Sequence, residues 1–157
     1  MDTTKRPKMK KVYVAILSMG DVHSKTVLSL LGMINNPNYT VEMSFVGAKR
    51  VEASRNTAVQ KFLESNADYL LMVDEDNPPI VNPLELINES KDIIIFPTPI
   101  FYDRKIVWNV DLGDHKRIPG LQKIKSGGTG CILIKRNVLE KMGICFDTIV
   151  DKFGVTT

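Results

Sequence analysis

Cysteine is scarce in this 157-residue chain: Cys131 and Cys145 are the two, and no CxxC pair is among them. That is no disulfide framework, so a reducing, cytoplasmic setting is expected, with Cys131, inside an apolar run, a plain buried thiol. Histidine is equally rare. His23 and His115 have no partner at metal-ligand spacing, and both are expected in solvent. No stretch approaches the roughly 18 apolar residues of a membrane span. No serine stands in a GxSxG elbow, and no GK[ST] follows the glycines to make a phosphate loop. Ser–His–Asp and Cys–His chemistry therefore has no candidate set.

Excess charge is also lacking. The net charge is +3, and residues 1–11, "MDTTKRPKMKK", hold five Lys/Arg against one Asp, so the remainder is −1. A nearly neutral body argues against a broad nucleic-acid surface. Residues 1–11 read as a basic, disordered, solubilising tail that could also meet a phosphate-rich or membrane partner. That tail followed by "VYVAILSMG" imitates a secretory leader, but no small-residue cleavage site follows before "DVHSK", and a first core strand is the better reading.

What is present is an ordinary globular composition, 43% hydrophobic and 25% charged, in a length that suits one domain, residues 12–157. Strands are predicted at 12–17, 39–47, 68–73, 91–97, 105–110 and 131–136. Helices are predicted at about 27–34, 53–65, 82–90 and 137–143, with residues 112–130 rich in loop. Continuous apolar strands alternating with helices imply an α/β, Rossmann-like domain: a mixed, mainly parallel sheet with helices on both faces. Ligands of such sheets bind beyond the carboxyl ends of the strands. Ser18–Asp21, Gly47–Arg50 and Asp74–Asn77 should share that edge.

Three features there could carry chemistry. The first is "YLLMVDEDNPP", residues 69–79. In extended backbone residues i and i+2 point the same way, so Asp74 and Asp76 could converge on a cation while Glu75 points elsewhere and is dispensable. Such a pair suits Mg²⁺ or Mn²⁺ shared with substrate phosphates; the plainer reading is a solvated acidic turn. The second is Arg55 and Asn56, expected in the first turn of a helix, where free N–H groups and the helix dipole favour an anion. The plainer reading folds Arg55 onto the surface or pairs it with Glu52. The third is "SGGTG", residues 126–130, whose glycines allow close approach of a ligand or simply turn the chain into a strand. Trp108 could stack on a sugar or base, or belong to a core or interface. Lys49 and Arg50 read as a solvated turn.

Taken in order, "GAKRVEASRNTAVQKFLESNADYLLMVDEDNPP" and "SGGTGCILIKRNVLEKMG" resemble the nucleotide-sugar-dependent glycosyltransferases of the GT-A fold, over roughly residues 12–143. The resemblance implies a GT-A-like domain that transfers a sugar from a nucleotide-diphosphate sugar to a glycan, lipid, protein or nucleic-acid acceptor. It implies a DxD motif in which Asp76 holds Mn²⁺ or Mg²⁺ and Asp74 contacts the ribose or assists the metal. Ser18 would face the base, Arg55 and Asn56 would lie near the nucleotide or its phosphates, and Gly128, Thr129 and Gly130 near the donor sugar and acceptor. Such enzymes usually continue to an acidic segment that supplies a catalytic base. Here the sequence ends in "FDTIVDKFGVTT", where Asp147 and Asp151 are the only late carboxylates, so the base is unassigned. A truncated fragment, a minimal enzyme using other groups, and a non-catalytic nucleotide-sugar-binding module or assembly component all stay open. A haloacid-dehalogenase-type phosphatase, with Asp74 as nucleophile, is the remaining rival. Its motif normally lies on a first strand rather than a third.

Overall fold

The structure is a computed structural model and describes residues 9–47, 50–144 and 146. Along the chain run β1 (Lys10–Leu17), α1 (Ser24–Ile34), β2 (Tyr39–Val46), α2 (Val51–Glu64) and β3 (Tyr69–Asp74). There follow a 3-10 helix (Pro83–Glu89), β4 (Ile93–Ile95), β5 (Pro99–Tyr102), β6 (Lys105–Trp108), β7 (Val110–Asp111), β8 (Ser126–Gly127), β9 (Cys131–Lys135) and α3 (Arg136–Met142). Five strands form one mixed sheet in the order β2-β1-β3-β9-β4. β2, β1 and β3 are parallel, while β9 runs antiparallel to both β3 and β4.

The alternation of side chains explains why this sheet is covered twice. Val12, Val14 and Ile16 of β1 and Tyr69, Leu71 and Val73 of β3 face α1 and the 3-10 helix, where they meet Leu30, Met33, Leu84 and Ile87. Tyr13, Ala15 and Leu17, with Leu70 and Met72, face the opposite way onto Ala58, Val59 and Phe62 of α2 and Leu139 of α3. A strand buried on both faces must be apolar at every position, which is what "VYVAIL" and "YLLMV" supply. α2 ends where Arg136 donates to the carbonyls of Phe62, Ser65 and Ala67, a cation at the negative end of a helix.

Several boundaries differ from expectation. β1 already includes Lys10 and Lys11, with the Lys10 ammonium over the Tyr69 ring, so the two tail lysines belong to the sheet. Residues 1–8 of the expected tail lie outside the described residues. The expected helix at 82–90 is a 3-10 helix, entered through the Asn82 side chain and Pro83. The expected strand at 91–97 pairs over only three residues, because Pro97 and Pro99 lack the N–H to extend the ladder. β5 went unforeseen for the same reason. It forms a hairpin with β6 through Asp103 and Arg104, both at positive φ (46° and 59°).

Candidate active site

β2 follows β1 on one side and β3 lies on the other, so the strand order reverses at β1. Crevices at such reversals, beyond the carboxyl ends of the strands, are where open α/β sheets take ligands. Leu17, Val46 and Asp74 are in register at that edge, and Ser18 donates its N–H to the Val46 carbonyl. The expected alignment of the three strand ends therefore holds; Ala48 and Lys49 lie outside the described residues. A cavity of about 300 Å³ opens here, lined by Leu17, Ser18, Met19, Val51, Ser54, Asp74, Glu75 and Asp76. The N-terminus of α2 thus borders it, with its free N–H groups.

The three acids have three different environments. Asp74 is the last residue of β3 and sits in the fork of Arg55: Nη1 donates to Oδ1 at 3.0 Å and Nη2 to Oδ2 at 3.1 Å. The Arg55 side chain is 8% exposed and that of Asp74 30%. Burial pushes the Asp74 carboxyl above its ordinary value of 3.8. Arg55 pulls it back, and the charges of Asp76 and Glu75 add to the upward push. Glu75 begins the turn after β3. Its Oε2 accepts from Ser18 Oγ at 2.7 Å and from the Met19 N–H at 3.0 Å. Its backbone N–H donates to Leu17 and its carbonyl accepts from His23, so it ties β3 to the start of α1. Asp76 is exposed and makes no hydrogen bond or ion pair among the described residues.

Two expectations are corrected. Glu75 does not point elsewhere: extended alternation ends with the strand at Asp74, and the turn brings Glu75 into the cavity lining. Arg55 is not in the first turn of its helix. α2 begins at Val51, two residues earlier than expected, so the terminal N–H groups belong to residues ahead of Arg55. The guanidinium serves the Asp74 carboxylate rather than presenting itself to solvent. Glu52 instead lies 3.9 Å from Arg50. Asn56 is turned to the other end of the chain, exchanging hydrogen bonds with the backbone of Phe146 at 2.7 and 3.0 Å.

The glycine segment reaches the same edge by a different route. β9 runs antiparallel to β3, so its start meets the end of β3, and Asp74 N–H donates to the Gly130 carbonyl at 2.8 Å. Gly128, Thr129 and Gly130 do not line the cavity. The closeness their glycines allow is to protein: a Cβ on Gly128 would collide with the Asn109 amide, and one on Gly130 with Asn77 and Thr98. Asn77 donates to Thr98 Oγ1 at 2.6 Å across that space. Thr129 is half-buried. Cys131, next along, is 1% exposed. Burial, with the Asp74 charge adding, pushes its thiol far up, so it stays protonated and inert. Cys145, Asp147 and Asp151 lie outside the described residues. His23 and His115 are both exposed.

As a cation site, the acids fit unequally. Among the described residues no three of His, Cys, Asp and Glu group as a metal cage. A Mg²⁺-type ion shared with substrate phosphates needs only one or two carboxylates. Asp76 is available without breaking any contact. Asp74 could take part only through lone pairs left over by Arg55, and Glu75 is committed to Ser18 and Met19.

Residues that sequence reasoning missed are Glu75, Asn77 and Asn109. One signal was available for the Arg55–Asp74 pair. In a β-α-β unit the crossover helix starts at the edge where the next parallel strand ends, which puts an early helix cation beside a strand-end acid.

No family model matches the chain, and no curated protein matches it. Among solved structures, the crystal structure of A197 from STIV, a viral protein, superimposes with a TM-score of 0.61 at 24% identity, covering 85% of this chain and 68% of that one. At that identity the likeness shows the fold alone: an α/β domain with a mixed five-stranded sheet. Among the described residues no helix is long and apolar enough to cross a membrane.

Proposed function

We propose that this chain is a GT-A-like glycosyltransferase that binds a nucleotide-diphosphate sugar in the cavity between the ends of β1 and β3. The observation that carries the reading is the division of labour among the acids. Asp74 is fixed by Arg55, Glu75 braces the loop after β1, and Asp76 is left exposed at the cavity rim. In this reading Asp76 holds Mn²⁺ or Mg²⁺ together with the donor's phosphates, while Asp74 faces the ribose or assists. Such a cation neutralises charge developing on the departing diphosphate. The start of α2, at Val51, adds the positive end of a helix beside the phosphates. Ser18 and the Met19 backbone, braced by Glu75, form the wall on which the base would rest.

A second reading, a nucleotide-sugar-binding module without turnover, is favoured by one fact. With Asp74, Glu75 and Asp76 each assigned, no acid lining the cavity among the described residues remains to deprotonate an acceptor hydroxyl. The phosphatase rival fares worse, since both oxygens of Asp74, its would-be nucleophile, lie in the fork of Arg55.

Calorimetric titration of UDP- and GDP-sugars with and without Mn²⁺ tests the site. Metal-dependent binding to the wild type, absent in Asp76→Ala, is expected, and equal metal-dependent binding in that variant refutes the assignment. An assay for transfer or slow donor hydrolysis then separates enzyme from module.

A further inference from the structure

The β5–β6 hairpin is hydrogen-bonded to no strand of the main sheet. A two-stranded hairpin in water is marginal unless something covers its apolar side chains. Here they are bare: Phe101 is 77% exposed, Tyr102 72% and Ile106 70%. The register sets Phe101 opposite Ile106, with Trp108 further along the same face. That face runs towards a cavity of about 740 Å³ whose lining includes Trp108, Ile118, Pro119 and Leu121. The Arg117 guanidinium lies 5.1 Å from the centroid of the Trp108 ring.

The segment that holds the hairpin also carries net positive charge. Residues 99–125 carry six Lys/Arg against three Asp, and the Lys125–Asp111 ion pair accounts for one of each. Arg104, Lys105, Lys116, Arg117 and Lys123 are all exposed. Taking the +4 of residues 1–11 and the +3 of this segment from the chain's +3 leaves −4 for everything else. Outside residues 1–11, the net positive charge of the chain therefore lies in the segment that holds the hairpin.

We infer that the hairpin and the 112–125 loop form a membrane-binding face that seats the protein peripherally on an anionic phospholipid bilayer. Two features favour lipid over a protein partner. The second face of the hairpin is partly open as well, with Ile100 42% and Val107 37% exposed. A rigid partner covers one face of a ribbon, whereas acyl chains and headgroups surround both. Cations also adjoin the apolar residues, Arg104 in the turn, Lys105 on β6 and Arg117 over Trp108. They suit a headgroup layer: Lys and Arg reach anionic phosphates while their stems lie on apolar surface, and Tyr and Trp favour the boundary between water and hydrocarbon. Penetration would be shallow, on the order of 5–10 Å, as for other interfacial segments.

Vesicle flotation of the full chain tests this. Phosphatidylcholine vesicles are compared with vesicles in which part of that lipid is replaced by phosphatidylglycerol. Flotation with the anionic vesicles alone, weakening as salt rises, is expected. Phe101→Ser/Ile106→Ser and Arg104→Glu/Lys105→Glu should each lower partitioning about tenfold or more, with unchanged circular dichroism and melting temperature. Lys5→Gln/Arg6→Gln/Lys8→Gln should retain partitioning within about threefold, because the hairpin rather than the amino-terminal charge supplies the contact. No flotation of the wild type, wild-type flotation of the hairpin variants, or loss through the amino-terminal variant alone overturns the inference. So does a dimer by light scattering that Phe101→Ser/Ile106→Ser dissociates, which would make a second copy the occupant.

Discussion

Two stretches of this chain share a pattern: apolar residues running into a charged turn. In "YLLMVDED" Leu70, Leu71, Met72 and Val73 are all 0% exposed, because strands flank β3 on both sides and helices cover both faces of the sheet. In "PIFYDRKIVW" the residues are equally apolar, yet every residue of both strands is exposed. Composition alone does not distinguish the two; their neighbours do. The charged turns differ in the same way. After β3, Arg55, Ser18 and the Met19 backbone take up Asp74 and Glu75, leaving Asp76 open, whereas the hairpin turn points its charges at solvent. The first stretch ends at the edge of a cavity, and the second presents a surface.

Substitutions should separate the two stretches by size of effect. Leu71→Ala empties a fully buried position and should cost about 3–4 kcal/mol in urea unfolding. Arg55→Ala strips Asp74 of its partner and should cost about 2–3 kcal/mol at neutral pH, below the usual range for a buried pair because Asp74 keeps some solvent. The pH dependence has a definite sign. Burial holds the folded-state carboxyl of Asp74 above 3.8, so its favourable contribution is fully present below that value and is lost as pH rises through the folded pKa. Removing Arg55 raises the carboxyl further. The Arg55→Ala deficit should therefore shrink on acidification, as unfolding curves measured across that range would show. A deficit independent of pH would mean that packing, not charge, is what Arg55 supplies.

Glu75→Ala comes next. It removes two charge-assisted hydrogen bonds to Ser18 and Met19 and should cost about 1–2 kcal/mol, measured by the same unfolding curves. Phe101→Ser sits at the bottom of the scale. It should change stability by no more than about 0.5 kcal/mol, because little of that side chain is buried. A loss as large as that of Leu71→Ala would show that the hairpin is packed in solution, and the contrast between the two stretches would collapse.

The sequence made the first stretch legible and the second much less so, for physical reasons. β1, β3 and β9 announce themselves as short apolar runs and β2 by alternation, and the carboxyl ends of β1, β2 and β3 could be placed on one edge by the rules of parallel sheets. β5 was hidden by Pro97 and Pro99, which usually argue against a strand, and by a turn of Asp103 and Arg104 in place of the usual Asn-Gly. The role of Glu75 was invisible because it depends on where β3 stops, and periodicity locates a strand end only to within a residue or two. Asp74 and Asp76 were legible as a pair by spacing, but their difference was not. It arises from Arg55, nineteen residues away in sequence and brought alongside by the crossover helix.

In the proposed function, Asp76, just beyond β3, serves a cation held with a nucleotide diphosphate. That role is tested most directly by the melting temperature of the wild type and of Asp76→Asn across a panel of nucleotide sugars, each with and without Mn²⁺. Asp76→Asn removes one exposed charge that makes no hydrogen bond among the described residues, so the free protein should melt within a degree or two of wild type. At least one nucleotide sugar should raise the wild-type melting temperature only when Mn²⁺ is present, and Asp76→Asn should abolish this rise. No stabilisation by any donor, or an undiminished metal-dependent rise in the variant, would contradict that role.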